Sequence, residues 1–322
     1  MNMNYELLIQ NGNKAFQPIV EDGISLSLER KGTPAKLEFT VVKDADIAFR
    51  EGAAVSFKVD GVNVFYGYVF AKSRDKKQRI KVTCYDQLRY LKNKDTYTYT
   101  NKTASELVQM IAYDFNLNVG AITNTGFKIA SRVEDNATLF DIIQNALDIT
   151  FDNTGVMYVL HDDFGALKLS SVDDLMVGVL IDEETAENFE YGSSIDGETY
   201  NRIKLVREDD KTKKREVFVV EDAANINNWG VLQYFEKLSD DEENGYAKAN
   251  SLLKIHNQRT RTLTLQNVLG NTSVRGGSSL MVNLNIGDEV VNGLMMVEKV
   301  THTFKNDLHT MNLSMTGKGF TV

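Results

Sequence analysis

The feature that most constrains this chain is an alternating pattern at residues 52–85 that returns, in shorter form, at residues 287–315. Each copy holds a tight turn and closes with an alternating strand. The turns are Asp60-Gly61 and Asn292-Gly293, and the closing strands carry Ile80, Val82 and Cys84 in the first copy and Met311, Leu313 and Met315 in the second. A period of two around such turns is typical of antiparallel hairpins. A true duplication would give one chain two similar small β-barrels, so that three chains could close a ring of six.

The length and the net charge of the chain limit its possible functions. The 322 residues are enough for two or three domains with cores of their own. The formal net charge of −9 argues against nucleic-acid binding as the main task, because phosphate binding needs a cationic face. The single cysteine, Cys84, excludes an internal disulfide. No secretory signal is recognisable, and no run approaches the ~18 apolar residues of a membrane span. We therefore expect a protein made in the cytosol, without a membrane span and without sequence-specific nucleic-acid binding.

Residues 1–95 alternate like short strands separated by turn residues. Tyr5, Leu7 and Ile9 share one face of such a strand, and Leu37, Phe39 and Val41 share one face of another. Six or so strands at hairpin spacing predict a small antiparallel sandwich or barrel.

Residues 96–182 change in character and predict a small α+β domain. Thr103 and Glu106 have the spacing of a capping box, and Thr138 opens a second helix with Asp141 in place of the glutamate. Apolar residues recur at helical spacing after both threonines. The segment 161–165 then predicts a hairpin tip.

The chain returns to a strand pattern in residues 183–238 and 258–322, which we assign to a second barrel. Ile203 and Leu205 are expected to pair with Val217 and Val219 across a charged turn at residues 209–214. A helix is predicted to start at residues 239–242 and to run to about residue 256, so that residues 239–257 form a helical insertion. The predicted fold class is α+β, mainly β.

Residues capable of chemistry are scattered. The histidines, His161, His256, His302 and His309, include no pair at metal-ligand spacing. The acidic clusters at 162–163, 183–184 and 240–243 are explained as a hairpin tip, a linker and a helix N-terminus. The alternation around Cys84 indicates a small buried residue. We therefore predict no catalytic residue, no metal and no cofactor.

Short motifs follow one another in an order that resembles a known family. They are Val64-Phe65-Tyr66-Gly67-Tyr68-Val69, Thr138-Leu139-Phe140-Asp141, Asn201-Arg202-Ile203, Trp229-Gly230-Val231-Leu232-Gln233 and Val300-Thr301-His302-Thr303-Phe304. Over nearly the whole chain this series resembles the tail-hub (baseplate hub) proteins of contractile phages and phage-like particles. These are the type encoded in Bacillus and Clostridium prophages and in tail-derived bacteriocins.

The resemblance implies a trimer with a structural role. Two tube-like β-barrels per chain would form a pseudo-sixfold ring that joins a sixfold tail tube to a threefold central spike. The implied partners are two further copies of the chain, the tail tube protein, the central spike protein, and baseplate wedge or tape-measure proteins. The protein would be made in the bacterial cytoplasm and assembled into the tail of a phage or phage-like particle.

Contacts with the tube or between subunits are predicted on hairpin tips and barrel edges. The residues are Asp60, Gly61, Tyr66, Tyr68, Lys76, Lys77, Asn292 and Gly293. Two other functions fit parts of the sequence. A tail-tip peptidoglycan hydrolase would use the acidic clusters, and a carbohydrate-binding adhesin would use exposed tyrosines such as Tyr66, Tyr68, Tyr97 and Tyr99.

Overall fold

The computed structural model describes residues 3–43, 48–185, 187–208, 214–238, 244–287 and 290–318, apart from the side chains of Asn11, Asp22 and Lys318. Within these residues antiparallel strands predominate, and the α-helices belong to a middle domain and to an insert. The predicted class, α+β and mainly β, is confirmed.

The first unit is a sheet built around one apolar core. Its strands are β1 (Tyr5–Asn11), β2 (Lys14–Phe16), β3 (Val20–Glu29), β4 (Lys36–Val42), β5 (Ala54–Val59), β6 (Val62–Arg74) and β7 (Arg79–Tyr85). Side chains alternate between core and surface, as in β4, where Leu37, Phe39 and Val41 are buried. Asp60 and Gly61 join β5 to β6, with φ of 49° and 80°, as a two-residue I′ turn requires. The predicted turn is therefore confirmed.

The middle domain follows, with its own core. Its elements are a 3-10 helix (Gln87–Lys92), β8 (Lys94–Thr103), α1 (Ala104–Asp114), β9 (Val119–Ile122), β10 (Lys128–Thr138), α2 (Leu139–Thr154), β11 (Tyr158–Asp162) and β12 (Leu167–Ser171). Thr103 accepts from the Glu106 N–H and Glu106 accepts from the Thr103 N–H, which completes the predicted capping box. Thr138 caps α2 by accepting from the Asp141 N–H. Both predicted helix starts are confirmed.

The remaining chain holds a second unit and an insert. In chain order the elements are β13 (Met176–Ile181), β14 (Asn188–Ser194), β15 (Arg202–Glu208), β16 (Arg215–Glu221), α3 (Ala223–Trp229), β17 (Gln233–Lys237), α4 (Gly245–His256), β18 (Thr260–Leu269), β19 (Ser279–Asn285), β20 (Val290–Lys305) and β21 (Leu308–Lys318). We call β13, β14 and β18–β21 the second unit, and β15–β17 with α3 and α4 the insert.

The two units have the same strand order. In space the first unit runs β1-β5-β6-β7-β4-β3 and the second runs β13-β19-β20-β21-β18-β14. If β2, a short strand at the edge beside β1, is left out and the remaining six strands of each unit are counted along the chain, both orders are 1-4-5-6-3-2. The units differ at one edge, because β1 is antiparallel to β5 whereas β13 is parallel to β19. Identical order across six strands supports the duplication predicted from the sequence.

Two predictions at the second unit differ from the structure. Asn292 and Gly293 do not form a turn, because they lie inside β20 and face Asn283 and Val282 of β19. β19 ends at Asn285, which lies opposite Val290 at the start of β20, so the Asn-Gly dipeptide was misread. In addition, β13 pairs with β19 of the second unit, whereas the sequence analysis placed residues 176–181 in the α+β domain.

The insert has a separate sheet and core. β15 pairs with β16 and β17, and its apolar face packs on α4 through Ile203, Leu205 and Leu252. The predicted hairpin between residues 203–205 and 217–219 is confirmed, but its register differs by one residue, because Ile203 lies opposite Val220 and Leu205 opposite Phe218. The sequence analysis gave residues 183–238 to the second barrel, but the strands of 202–237 pair with one another. The predicted helix start at 239–242 and most of the turn at 209–214 lie outside the described residues. Asn244 caps α4.

Candidate assembly interface

The same pair of hydrogen bonds occurs at equivalent positions inside each of the two units. The Gly52 N–H donates to Val69 O at 2.8 Å, and the Gly277 N–H donates to Val297 O at 2.7 Å. Val69 and Val297 each return a hydrogen bond to the residue after the glycine. Gly52 and Gly277 have positive φ angles of 84° and 92°, a backbone conformation that residues with a side chain rarely adopt. The repeat therefore pairs Gly52 with Gly277, where the sequence analysis paired it with residue 287.

A bulge at the same place in both units fixes the register of the repeat. The pairing of β6 with β7 shifts around Phe70, and the pairing of β20 with β21 shifts around Glu298. Residues 71–74 of β6 are therefore equivalent to residues 299–302 of β20. This register retains the predicted alternation. The buried residues Ile80, Val82 and Cys84 are equivalent to the buried residues Met311, Leu313 and Met315.

The units are joined by the pairing of β3 with the C-terminal half of β20, which we call the seam. Val300 lies opposite Leu28 and Phe304 opposite Ile24 in an antiparallel ladder. Phe304 is fully buried in the core of the first unit, with its ring 5.0 Å from Phe57, although its strand belongs to the second unit. The seam makes one continuous sheet of thirteen strands within the described residues.

Ion pairs flank the seam on its outer face. Arg30 Nε lies 2.8 Å from Glu298 Oε2, and Lys299 Nζ lies 2.8 Å from Glu29 Oε1. The Arg30 pair is the more buried of the two, because its guanidinium side chain is only 12% exposed. Exposed pairs contribute little, so the apolar ladder carries most of the stability of the seam.

A buried polar junction connects the middle domain to both units. The Asp86 carboxylate accepts from the Ala35 and Leu88 N–H groups, and Asp162 accepts from Gln87 Nε2 at 2.9 Å and from the Gly165 N–H at 2.7 Å. Arg275, in the loop before β19, donates to Asp162 O at 2.8 Å. Arg275 therefore links the second unit to the middle domain, and Asp86 links the middle domain to the first unit.

Burial sets the titration of this junction. It raises the pKa of Asp162 to about 6, and the hydrogen bonds from Gly165 and Gln87 and the charge of Arg275 oppose that rise. Burial and the charge of Asp162 raise the pKa of Asp86 well above its ordinary value. The Arg275 charge lowers both pKa values and so favours the ionised form of each carboxyl.

A histidine pair lies beside the seam. His302 Nδ1 and His309 Nε2 are 2.9 Å apart, and His302 Nε2 is 2.9 Å from Val274 O. Burial lowers the pKa of His302 to about 3 and that of His309 to about 4, so both rings are neutral at physiological pH. His302 is therefore a buried, hydrogen-bonded histidine on β20. No group of three metal-ligating side chains converges among the described residues.

Four of the predicted contact residues lie at exposed hairpin tips. Asp60 and Gly61 form the β5–β6 turn, which is held to β1 because the Asp60 N–H donates to Asn4 O at 2.7 Å. Lys76 and Lys77 form the β6–β7 tip, where both are exposed. Their role in contacts with other proteins stays a prediction.

The other four lie elsewhere. Tyr66 and Tyr68 are half-buried on β6, and the Tyr66 ring lies 5.6 Å from Phe164 of the middle domain. A Cβ on Gly165 would meet that ring at 2.7 Å, so the hairpin tip fits closely against β6. Tyr66 thus packs against the middle domain of the same chain, and the Tyr68 ring packs against Tyr66 at 5.9 Å. Asn292 and Gly293 lie in β20, beside β19.

Sequence reasoning missed the seam and the buried polar junction. Asp162 was predicted only as part of a hairpin tip, and Arg275 was not considered. The signal in the sequence was the glycine pair Gly276-Gly277. A Cβ on Gly276 would lie 2.3 Å from Arg30 N, so this glycine marks where the loop passes close to the end of β3.

Solved structures with the same fold are prophage tail proteins. The 43 kDa tail protein of prophage MuSo2 from Shewanella oneidensis matches with a TM-score of 0.67 over 96% of this chain and 98% of its own, at 14% identity. The tail protein of Neisseria meningitidis MC58 matches with a TM-score of 0.69 over 98% of this chain and 97% of its own, at 12% identity. The fold is therefore that of the prophage tail proteins.

The family follows from sequence similarity. The YQBQ-like family model matches residues 24–316. The phage-like element PBSX protein XkdQ of Bacillus subtilis strain 168 is 32% identical over 310 residues, which cover 93% of each chain. This chain belongs to the YQBQ-like family. Together with the fold, this membership confirms the resemblance to hub-type tail proteins. No described helix is long and apolar enough to cross a membrane.

Proposed function

We propose that three copies of this chain form the hub of a contractile tail baseplate. In this assembly the two units of each copy alternate around a pseudo-sixfold ring. The ring joins a sixfold tail tube on one side to a threefold central spike on the other. The role is structural: it matches two symmetries and transmits force, without a chemical step.

The observation that carries the proposal is the repeated strand order 1-4-5-6-3-2. A hexameric tube presents six equivalent edges, and three chains can match them only if each offers two similar units. The seam already joins two such units side by side, so the geometry between neighbours is built into one chain. Closing a ring also covers strand edges that would otherwise template aggregation.

The chemistry of the surface supports a structural role over an enzymatic one. Asp162, the acidic residue with the clearest raised pKa among the predicted clusters, is committed to Gln87 and Gly165 inside the buried polar junction. Asp163 next to it forms an exposed pair with Lys168 at 3.4 Å. Neither geometry places a carboxyl acid and a carboxylate base on an open cleft, which a peptidoglycan hydrolase needs.

The proposal is tested by counting copies in place. Cryo-electron microscopy of tails carrying a tagged chain is expected to show three copies at the junction of tube and spike. Native mass spectrometry of the chain, alone or with its spike protein, should give three times the 36.2 kDa chain mass, about 109 kDa without the spike. A copy number of six, or a position away from this junction, would contradict the proposal.

A further inference from the structure

The seam uses one edge from each unit, and the repeat contains a second, equivalent pair of edges. β3 is the second strand of the first unit, and it pairs with the fifth strand of the second unit, β20. The equivalent strands are β14 and β6. In the described part of the chain, β14 pairs with β18 alone, and residues 71–74 of β6 pair with β7 alone. No described strand covers the other edge of either segment.

Residues along both edges are exposed, and on β6 the Lys72 ammonium also donates to Phe49 O at 2.8 Å and lies 3.8 Å from Glu51 Oε2. Ala71, Lys72, Ser73 and Arg74 are all exposed, and Phe189 of β14 is 38% exposed. A strand edge that no other strand covers attracts a further strand, because its outward N–H and C=O groups can extend the ladder. Because these two edges are equivalent, by the repeat, to the two edges that form the seam, they indicate a contact between copies of the chain.

The repeat gives the register of that contact. On one side, the shared bulge makes Ala71 equivalent to Lys299. On the other side, Leu26 faces Leu37 in the first unit as Tyr191 faces Leu263 in the second. Counting three residues on from Leu26 and Tyr191 makes Glu29 equivalent to Ser194. Since Lys299 lies opposite Glu29 in the seam, Ser194 is placed opposite Ala71.

We propose that β14 of one copy pairs antiparallel with the C-terminal half of β6 of the next copy, with Ser194 opposite Ala71 and Gly192 opposite Ser73. The inference rests on the ring assembly proposed above and names the edges that close it. The contact is head-to-tail, so each unit offers its second strand to the fifth strand of the next unit. Inside a chain this contact is the seam, and between chains it is the β14–β6 pairing.

Charge favours this pairing. The β6 side is basic and ends at the predicted contact residues Lys76 and Lys77, whereas the β14 side is acidic. The exposed cations on the β6 side are Lys72, Arg74, Lys76 and Lys77, and the exposed anions leading into and along β14 are Glu183, Glu184, Glu187 and Glu190. Asp75 is the exception within the basic run, because the register places it opposite Glu190, but its charge is balanced by its own ion pair with Arg79 at 2.7 Å. Complementary charges of this kind orient two copies and speed their encounter.

The test is a disulfide between copies. Ala71 and Ser194 are exposed, and the native Cys84 is fully buried, so thiols introduced at the first two positions dominate oxidation. Directly opposed residues in an antiparallel pair have Cα atoms about 4.5–5.5 Å apart, within disulfide range. In tail particles assembled with the A71C/S194C variant, we expect mild oxidation to convert most of the chain into species of two and three chain masses on non-reducing gels.

The matched control is S73C/S194C. It keeps both thiols exposed and on the same face but shifts the register by two residues, to about 7–8 Å between Cα atoms, beyond ordinary disulfide range. We expect at least a tenfold lower yield of linked chains than for A71C/S194C. Equal yields from the two variants would overturn the register.

The outcomes separate this inference from the proposed hub. Particles that hold three copies but give no A71C–S194C linkage would overturn the β14–β6 pairing and leave the hub in place. Linkage in particles with another copy number would support the pairing and overturn the trimer.

Discussion

Replacement of Arg275 by methionine tests how the buried polar junction holds the first unit, the middle domain and the second unit together. Methionine keeps much of the aliphatic length but removes the charge and the hydrogen bond to Asp162 O. The carboxyls left behind are buried, with Asp86 1% and Asp162 8% exposed. Removing one partner from a buried charged network costs about 3–5 kcal/mol. Arg275 is itself only partly buried, so we expect a loss of about 2–3 kcal/mol in the free energy of unfolding at pH 7.5.

The loss should depend on pH in a defined direction. Burial raises the pKa of Asp162 to about 6, so this carboxyl is ionised at pH 7.5 and largely protonated at pH 5. A protonated carboxyl no longer needs the guanidinium charge. The destabilisation by Arg275→Met should therefore shrink by about 1 kcal/mol between pH 7.5 and pH 5, since one pKa unit corresponds to about 1.4 kcal/mol.

Hydrogen exchange read by mass spectrometry locates the effect. Peptides that cover residues 86–91 and 158–165 should exchange faster in Arg275→Met than in the native chain, while peptides from the insert should not change. Arg259→Met is the matched control because Arg259 is exposed, and we expect it to stay within about 0.5 kcal/mol. A loss below about 1 kcal/mol that does not vary with pH would refute this account of the junction.

Three further predictions concern the seam and the repeat. Phe304→Ala should lower the free energy of unfolding by about 3–5 kcal/mol in denaturant unfolding, because the Phe304 ring is fully buried in the core of the first unit. Phe235 is 49% exposed, so Phe235→Ala should cost under about 1 kcal/mol. Similar losses for the two variants would contradict the coupling of the units. The buried His302 has a pKa of about 3 in the folded chain, whereas a histidine in the unfolded chain protonates near pH 6.5. The free energy of unfolding should therefore fall as the pH drops from about 6.5, by up to about 1.4 kcal/mol per pH unit, and His302→Gln should flatten this slope. An unchanged slope in a pH series of melts would exclude the histidine as its source. Gly67→Ala should destabilise by at least about 1–3 kcal/mol, because its Cβ would lie 2.3 Å from Tyr85 O, while Gly178→Ala meets nothing within 4 Å and should be neutral in the same melts.

The local parts of the fold were predictable because they depend on neighbours in sequence. Alternation identified the strands, and Thr103 and Thr138 identified both helix starts of the middle domain, since a cap needs only the next three residues. The Asp60-Gly61 turn was readable for the same reason. The Asn292-Gly293 dipeptide was misleading, because an Asn-Gly pair also fits inside a strand when the partner strand continues past it.

Patterns along the chain were enough to predict the class of fold, the presence of a repeat and the family. The register of the repeat, the pairing of β3 with β20 and the contact between Arg275 and Asp162 became visible only in the folded molecule. The difference is one of distance along the chain. A strand or a cap is fixed by residues a few positions apart, whereas the partner of a strand edge or a buried charge lies more than a hundred residues away, as Arg275 and Asp162 do. Such pairs form because a compact chain leaves few buried polar groups and few strand edges without partners.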